Sequence, residues 1–353
     1  MNLQPIDNPP NPYAGAHREW LEAPPAARIE VYEETSGSIL SRNDSPDIPF
    51  TWSVNPYRGC QHACAYCYAR PYHEYLGFGA GTDFDTKLIV KTNAAALLRK
   101  AFAARRWNGE TVNFSGITDC YQPLEASYQL TRACLQVCAD HSNPAVIVTK
   151  SFLVSRDVDV LTDLSRRARV RVCFSIPFAD AATSRLIEPQ APAPDRRFEA
   201  MRRLHDAGIP VGVIISPIIP GLNDRDIPTI LRRAAEAGAR SASYIPLRLP
   251  GSVKAVFLSR IAQVMPLRAK RIVNRLHEVR GGKLDESRIG RRMRGQGVYW
   301  QSIRHLFEIS RHRYGLDGDH APQPDPAAKA QTGREARDAH SGQMTLAFAD
   351  HPA

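Results

Sequence analysis

The chain has 353 residues, 43% of them hydrophobic, seven cysteines and a net charge of +10. That is material for one large globular domain or two ordinary ones, and it excludes a chain too poor in apolar residues to fold. The start, MNLQPIDNPPNPYAGAH, lacks a basic, apolar secretory signal and no apolar stretch reaches membrane length, so the expected location is cytoplasmic, where clustered cysteines serve metal or redox chemistry rather than disulfides.

Residues 1–45 are rich in Pro, Ala and charge, with no sustained period, and read as an extension that is partly disordered. From 46 to 250, apolar β-rich runs alternate with helical patterns. The runs are TVNFSGI (111–117), AVIVTK (145–150), VRVCFSIP (170–177), VGVIIS (211–216) and SASYIPL (241–247). AALLRKAFAARRW, LTRACLQVCADH, VDVLTDLSRRA, RFEAMRRLHDAG and IPTILRRAAEAG carry apolar residues at helical spacing, the last two ending in Gly208 and Gly238. Strand–helix repetition predicts βαβ units and a parallel sheet, open or closed into a complete or partial barrel. Function then belongs at the carboxyl ends of the strands, where Thr118, Asp119, Lys150, Ser175 and Ser216 fall.

Residues 251–316 read as helices packed on the core. Between Arg268 and Arg304 stand 11 basic and 3 acidic residues, a net +8 that nearly equals the charge of the whole chain, as a groove for nucleic acid would need. Residues 317–353 have the composition of a disordered tail. Within it, QMTLAF (343–348) is similar to the peptides by which bacterial proteins dock on the DNA sliding clamp, with Gln343, Leu346 and Phe348 as anchors.

NPYRGCQHACAYCYAR (55–70) places Cys60, Cys64 and Cys67 in a C-x3-C-x2-C spacing, and the next cysteine is Cys120. Structural zinc wants four ligands, usually two knuckles, and His62 is poorly placed to complete such a set from the same short loop. Iron–sulfur cubanes are held on short cysteine runs, and three thiolates leave one iron open for chemistry. The spacing puts iron–sulfur ahead of zinc, and a zinc-containing nucleic-acid-binding module without redox chemistry stays as the alternative. GFGAGTDFD after the loop lacks the GK[ST] ending of a phosphate loop.

CQHACAYC, with Tyr66 before the third cysteine, resembles the signature of the radical S-adenosylmethionine (SAM) superfamily. The stretches NPYRGCQHACAYCYARPYHEYLGFG, SGITDCYQPLE, IVTKS and SPIIPGLND resemble more narrowly the branch related to spore photoproduct lyase, a DNA-repair enzyme. The resemblance implies a partial (βα)6 TIM-type barrel with a C-terminal helical extension, and a [4Fe-4S] cluster on Cys60, Cys64 and Cys67 with SAM on the open iron. It further implies an electron donor such as flavodoxin or ferredoxin, and a 5'-deoxyadenosyl radical that takes hydrogen from a substrate. By the same resemblance, Thr118 and Asp119 approach the SAM amino group, Lys150 grips its carboxylate, Ser175 is a polar contact inside the barrel, and residues 217–221, next to Ser216, lie beside the adenine. Cys120 is the candidate hydrogen donor, near but not at the family's position. Cys134 and Cys138, four apart on a helix, read as core, and Cys173 shares a strand face with Ser175.

Overall fold

A computed structural model describes residues 8–13 and 28–318. The strands among them are β1 (Glu30–Glu34), β2 (Leu40–Arg42), β3 (Trp52–Val54), β4 (Tyr57–Arg58), β5 (Lys87–Lys91), β6 (Val112–Phe114), β7 (Ala145–Thr149), β8 (Val170–Ser175), β9 (Val211–Ile218) and β10 (Ser241–Pro246). The main sheet has the order β10-β9-β8-β7-β6-β3-β2. Its β3, β6, β7, β8, β9 and β10 are parallel, and β2 is an antiparallel edge. Helices Ala94–Phe102, Leu130–Asp140, Val158–Arg167, Pro194–Asp206 and Ile227–Glu236 make the five crossovers. This is the partial (βα)6 barrel that the resemblance implies, one of the forms the alternation left open.

The helices cover the sheet because their apolar stripes match it. Ile227, Ile230, Leu231 and Ala234 are the buried face of one crossover, and Val160, Leu161 and Leu164 of another. Both predicted helix stops hold, with Gly208 and Gly238 at left-handed φ of +78° and +93°. Along β8, Val170, Val172 and Phe174 bury under the helices, while Arg171 and Cys173 on the alternate face are only half-buried. On the neighbouring strands the same alternation leaves Val146 and Val148 of β7 and Ile214 and Ser216 of β9 half-buried.

Two departures from the sequence reading concern the ends of the chain. Residues 1–45, read as an extension, supply β1 and β2; β1 pairs in parallel with β5, which pairs in turn with β4 to form a second, three-stranded sheet. The side chains of β1 are almost all exposed, so the backbone ladder holds it and no apolar pattern announces it. At the other end, the helices Val253–Val264, Pro266–Val279 and Gly297–Arg313 form the extension. Residues 316–318 then return to the barrel edge, where Ala242 N donates to Leu316 O (3.2 Å) and Gly318 N to Arg240 O (3.0 Å). Ordered chain therefore runs past the boundary at 317. The QMTLAF peptide lies outside the described residues. Among those residues no helix is long and apolar enough to cross a membrane.

Candidate active site

The cysteine loop leaves the barrel through β4. Gly59, just before Cys60, has φ +74°, and a Cβ there would stand 2.9 Å from Leu88 Cδ2 and 3.0 Å from two backbone carbonyls. Ala63, between the first two cysteines, is also left-handed at φ +55°. Such a path needs outside support, and two side chains supply it. Gln122 accepts from Gln61 N (3.0 Å) and donates to Gly59 O (3.1 Å), while Gln61 accepts from Leu124 N (2.9 Å). Arg70, fully buried, donates to Cys64 O through Nε and Nη2 (3.1 and 2.9 Å), to the carbonyls of Ala80 and Gly81, and to Asp85 (2.9 Å). Burial lifts the Asp85 carboxyl to about 6 against the pull of Arg70.

Cys60 and Cys64 are buried and Cys67 half-buried. Burial, then Asp119 and the two neighbouring thiols, pushes Cys60 well up, and burial pushes Cys64 up to about 12 despite Lys150. Thiols held up in this way give up their protons most readily to a cation that takes over the charge, which is what a metal cluster provides. The donor set therefore fits a [4Fe-4S] cluster. Among the described residues no three His, Cys, Asp or Glu side chains converge on one ion-sized position; a cubane asks instead for one thiolate per iron.

The strand ends bring Lys150 beside this loop. Its ammonium sits over the Tyr66 ring (5.7 Å to the centroid) and 3.9 Å from Glu188 Oε1, too far for a hydrogen bond. Burial pulls Lys150 down, but Cys64 and Glu188 outweigh it and leave the group raised and charged. Glu188, fully buried, is the hub. It accepts from Arg197 Nη2 (2.6 Å), from the Tyr66 hydroxyl and from Ser184 Oγ (3.2 Å). Burial alone would raise its carboxyl, yet Arg197 and Lys150 hold it below the usual range. The same turn grips the loop backbone: Ala65 N donates to Ile187 O (3.0 Å) and Gln190 N to His62 O (3.3 Å).

The other predicted residues divide. Ser175 and Ser216 meet, with Ser175 Oγ donating to Ser216 O (3.1 Å), and Ser175 O takes Arg197 Nη1 (2.9 Å). Thr118 is buried and spends its hydroxyl on Tyr57 O (3.0 Å). Asp119 lies beside Cys60, but its carboxylate accepts from Tyr121 N (2.9 Å), Thr149 Oγ1 (2.7 Å) and Lys150 N (2.7 Å). His62 Nδ1 stands 3.3 Å from Oδ2, not aligned as a hydrogen bond. Burial would raise this carboxyl, and His62, Lys150 N and the Thr149 hydroxyl bring it down to about 2. Asp119 thus splices the loop to the end of β7 with three of its four acceptor sites taken, and Oδ2, beside His62, keeps one. Cys120 is 1% exposed in the main core, its backbone held by the Ser115 and Thr131 hydroxyls, so the thiol is closed off from solvent. Cys134 and Cys138 are core as expected, and Cys173 is half-buried on the interior face. In the 217–221 turn, Asn223 Nδ2 donates to Pro177 O and Pro217 O, and the Arg275 side chain packs on Gly221. Gln61, Gln122, Arg70, Glu188 and Arg197 escaped the sequence reading. A Glu followed nine residues later by an Arg is no signal until both are seen to be buried.

Comparison with known proteins agrees with this geometry. A sequence profile of the radical SAM superfamily matches residues 54–234. An uncharacterized protein of Mycobacterium tuberculosis is 34% identical over 309 residues, covering 86% of each chain. One of Methanocaldococcus jannaschii is 33% identical over 198 residues, 56% of this chain and 71% of that one. Among solved structures, a single-substitution variant of spore photoproduct lyase superposes with TM-score 0.58 at 15% identity, over 81% of this chain and 80% of that one. Spore photoproduct lyase complexed with dinucleoside spore photoproduct gives 0.55 at 17%, over 80% and 78%. At such identity these two speak for the fold alone. The profile match sets aside the zinc-module alternative.

Proposed function

Because the chain belongs to the radical SAM superfamily, we propose that it is a radical enzyme acting on DNA, with reversal of a base lesion as the reaction class. Family membership implies a [4Fe-4S] cluster and SAM, whose reductive cleavage supplies a 5'-deoxyadenosyl radical for hydrogen abstraction. Cys60, Cys64 and Cys67 would hold the cluster, with an electron from a donor of the flavodoxin or ferredoxin type. Lys150 carries the reading of the SAM site: an ammonium beside Cys64, kept charged by Glu188 and with hydrogen-bond donors unspent, suits a carboxylate. The Ser175–Ser216 pair at the neighbouring strand ends offers polar contact inside the barrel, and the 217–221 turn a backbone edge for the adenine. DNA as the substrate is favoured by the net +8 of residues 268–304 and by a fold shared with a lyase whose structure holds a dinucleoside. Docking of Gln343, Leu346 and Phe348 on the sliding clamp would bring the enzyme to that substrate.

The test is an anaerobic SAM-cleavage assay on the reconstituted, reduced protein with intact and ultraviolet-damaged DNA. Damaged DNA should accelerate 5'-deoxyadenosine release or exchange hydrogen with it. Cleavage indifferent to both DNA samples, with no label transferred, sinks the substrate assignment.

A further inference from the structure

The turn after the third cysteine exposes a run of aromatic rings that nothing in the cysteine loop uses. Tyr68 is 43% exposed, Tyr72 51% and Tyr75 64%. The Tyr72 and Tyr75 rings are 6.4 Å apart between centroids, and Tyr13 extends the run 4.7 Å beyond Tyr75. Beside Tyr68 stands Arg248, half-buried and poorly satisfied. Among the described residues its Nη1 reaches only the Met293 sulfur, a weak acceptor, at 3.8 Å, and its buried Nε has no partner. The nearby carboxylates are engaged elsewhere: Asp285 accepts from Leu249 N (2.9 Å), and Asp47 from Arg292 Nε (2.7 Å) and Gly290 N (2.8 Å). A guanidinium in this state has donors to give an incoming anion. On the same loop as Met293, Arg291 and Arg294 are exposed and form no salt bridge among the described residues.

Rings for stacking flanked by unspent arginines suit one kind of ligand. Base faces are hidden inside a duplex and free in an unpaired strand, whose phosphates meet the cations. Building on the DNA reading above, we propose that this surface holds unpaired DNA, its bases stacked on Tyr72 and Tyr75 and a backbone phosphate on Arg248. The strand runs from there past Tyr68 to the cysteine loop, so a target nucleotide arrives out of its duplex.

The experiment measures binding of the full chain, with its cluster, to a fluorescein-labelled single strand of about 20 nucleotides, longer than one binding site. The duplex and the RNA of the same sequence are the comparisons. The single DNA strand should bind most tightly. Tyr72→Ala and Tyr75→Ala should each weaken it about five- to hundredfold, with Tyr72→Phe and Tyr75→Phe close to wild type. Arg248→Gln should flatten the slope of log affinity against log salt by about 0.7. Both tyrosines are exposed, so a thermal melt should match wild type, as should SAM cleavage without DNA. Equal or tighter binding of duplex or RNA, or alanine variants that bind normally, overturns the proposal. If those variants bind normally while damaged DNA still accelerates deoxyadenosine release, the DNA reading stands and this surface falls. Tyrosine-dependent binding without acceleration means the reverse.

Discussion

The cysteine cradle and the basic loop at 283–294 are both crowded with charge, yet they treat it in opposite ways. In the cradle each buried charge is matched from within, Glu188 by Arg197 and Lys150, Arg70 by Asp85. In the loop, Arg288 and Arg292 find carboxylates, while Arg291 and Arg294 reach into water. Unmatched charge is tolerable only where solvent screens it. The closed set suits a fixed cofactor bed, and the open set suits a partner that comes and goes.

Breaking the closed set should cost most. Glu188→Ala leaves Arg197 buried without its partner and should destabilise the protein by about 3–5 kcal/mol, with loss of bound iron. Urea denaturation and iron analysis check both, and a variant as stable and iron-rich as wild type refutes the matching argument. Gly59→Ala forces a left-handed alanine against Leu88 and should cost about 3 kcal/mol, summing the backbone penalty and overpacking. Its circular-dichroism melt reads that directly.

Acid should separate the regions next. Asp119 is held at about 2 against an ordinary 3.8, so its stabilisation is present above 3.8 and lost as pH falls through about 2. That is worth about 2 kcal/mol near neutrality. The stability gap between wild type and Asp119→Asn should therefore be full near pH 6 and close between about pH 4 and 2; a gap that stays constant there contradicts the assignment. The smallest effect belongs to the open set. Arg291→Gln with Arg294→Gln should move stability by no more than about 0.5 kcal/mol while flattening the salt dependence of DNA binding. A large stability loss would mean that these arginines belong to the fold.

What the sequence made legible was local. The five-strand alternation, the Gly stops and the cysteine spacing each repeat or close within a few residues, and each was found where expected, while the sixth parallel strand, Trp52–Val54, was too short to announce itself. Lys150 followed from standing at a strand's end. Glu188 stayed hidden because its partner Tyr66 is 122 residues away, and neither the turn that carries it nor its charge predicts burial. The β1 strand stayed hidden because EVYEE is held by backbone pairing and shows no apolar face. Cys120 misled because a cysteine beside a strand end looks available until the Leu130–Asp140 helix is laid over it.

The stitch of residues 316–318 onto β10 has a mechanical consequence. The final helix is pinned at one end by that stitch and near the other by Tyr299 on Asp224, while Arg280 holds the preceding loop through the carbonyls of Arg292, Arg294 and Leu247. The arginine rim is thus a rigid bracket rather than a floppy arm, and under the proposed reading a nucleic acid landing on it would forfeit little affinity to freezing protein motion.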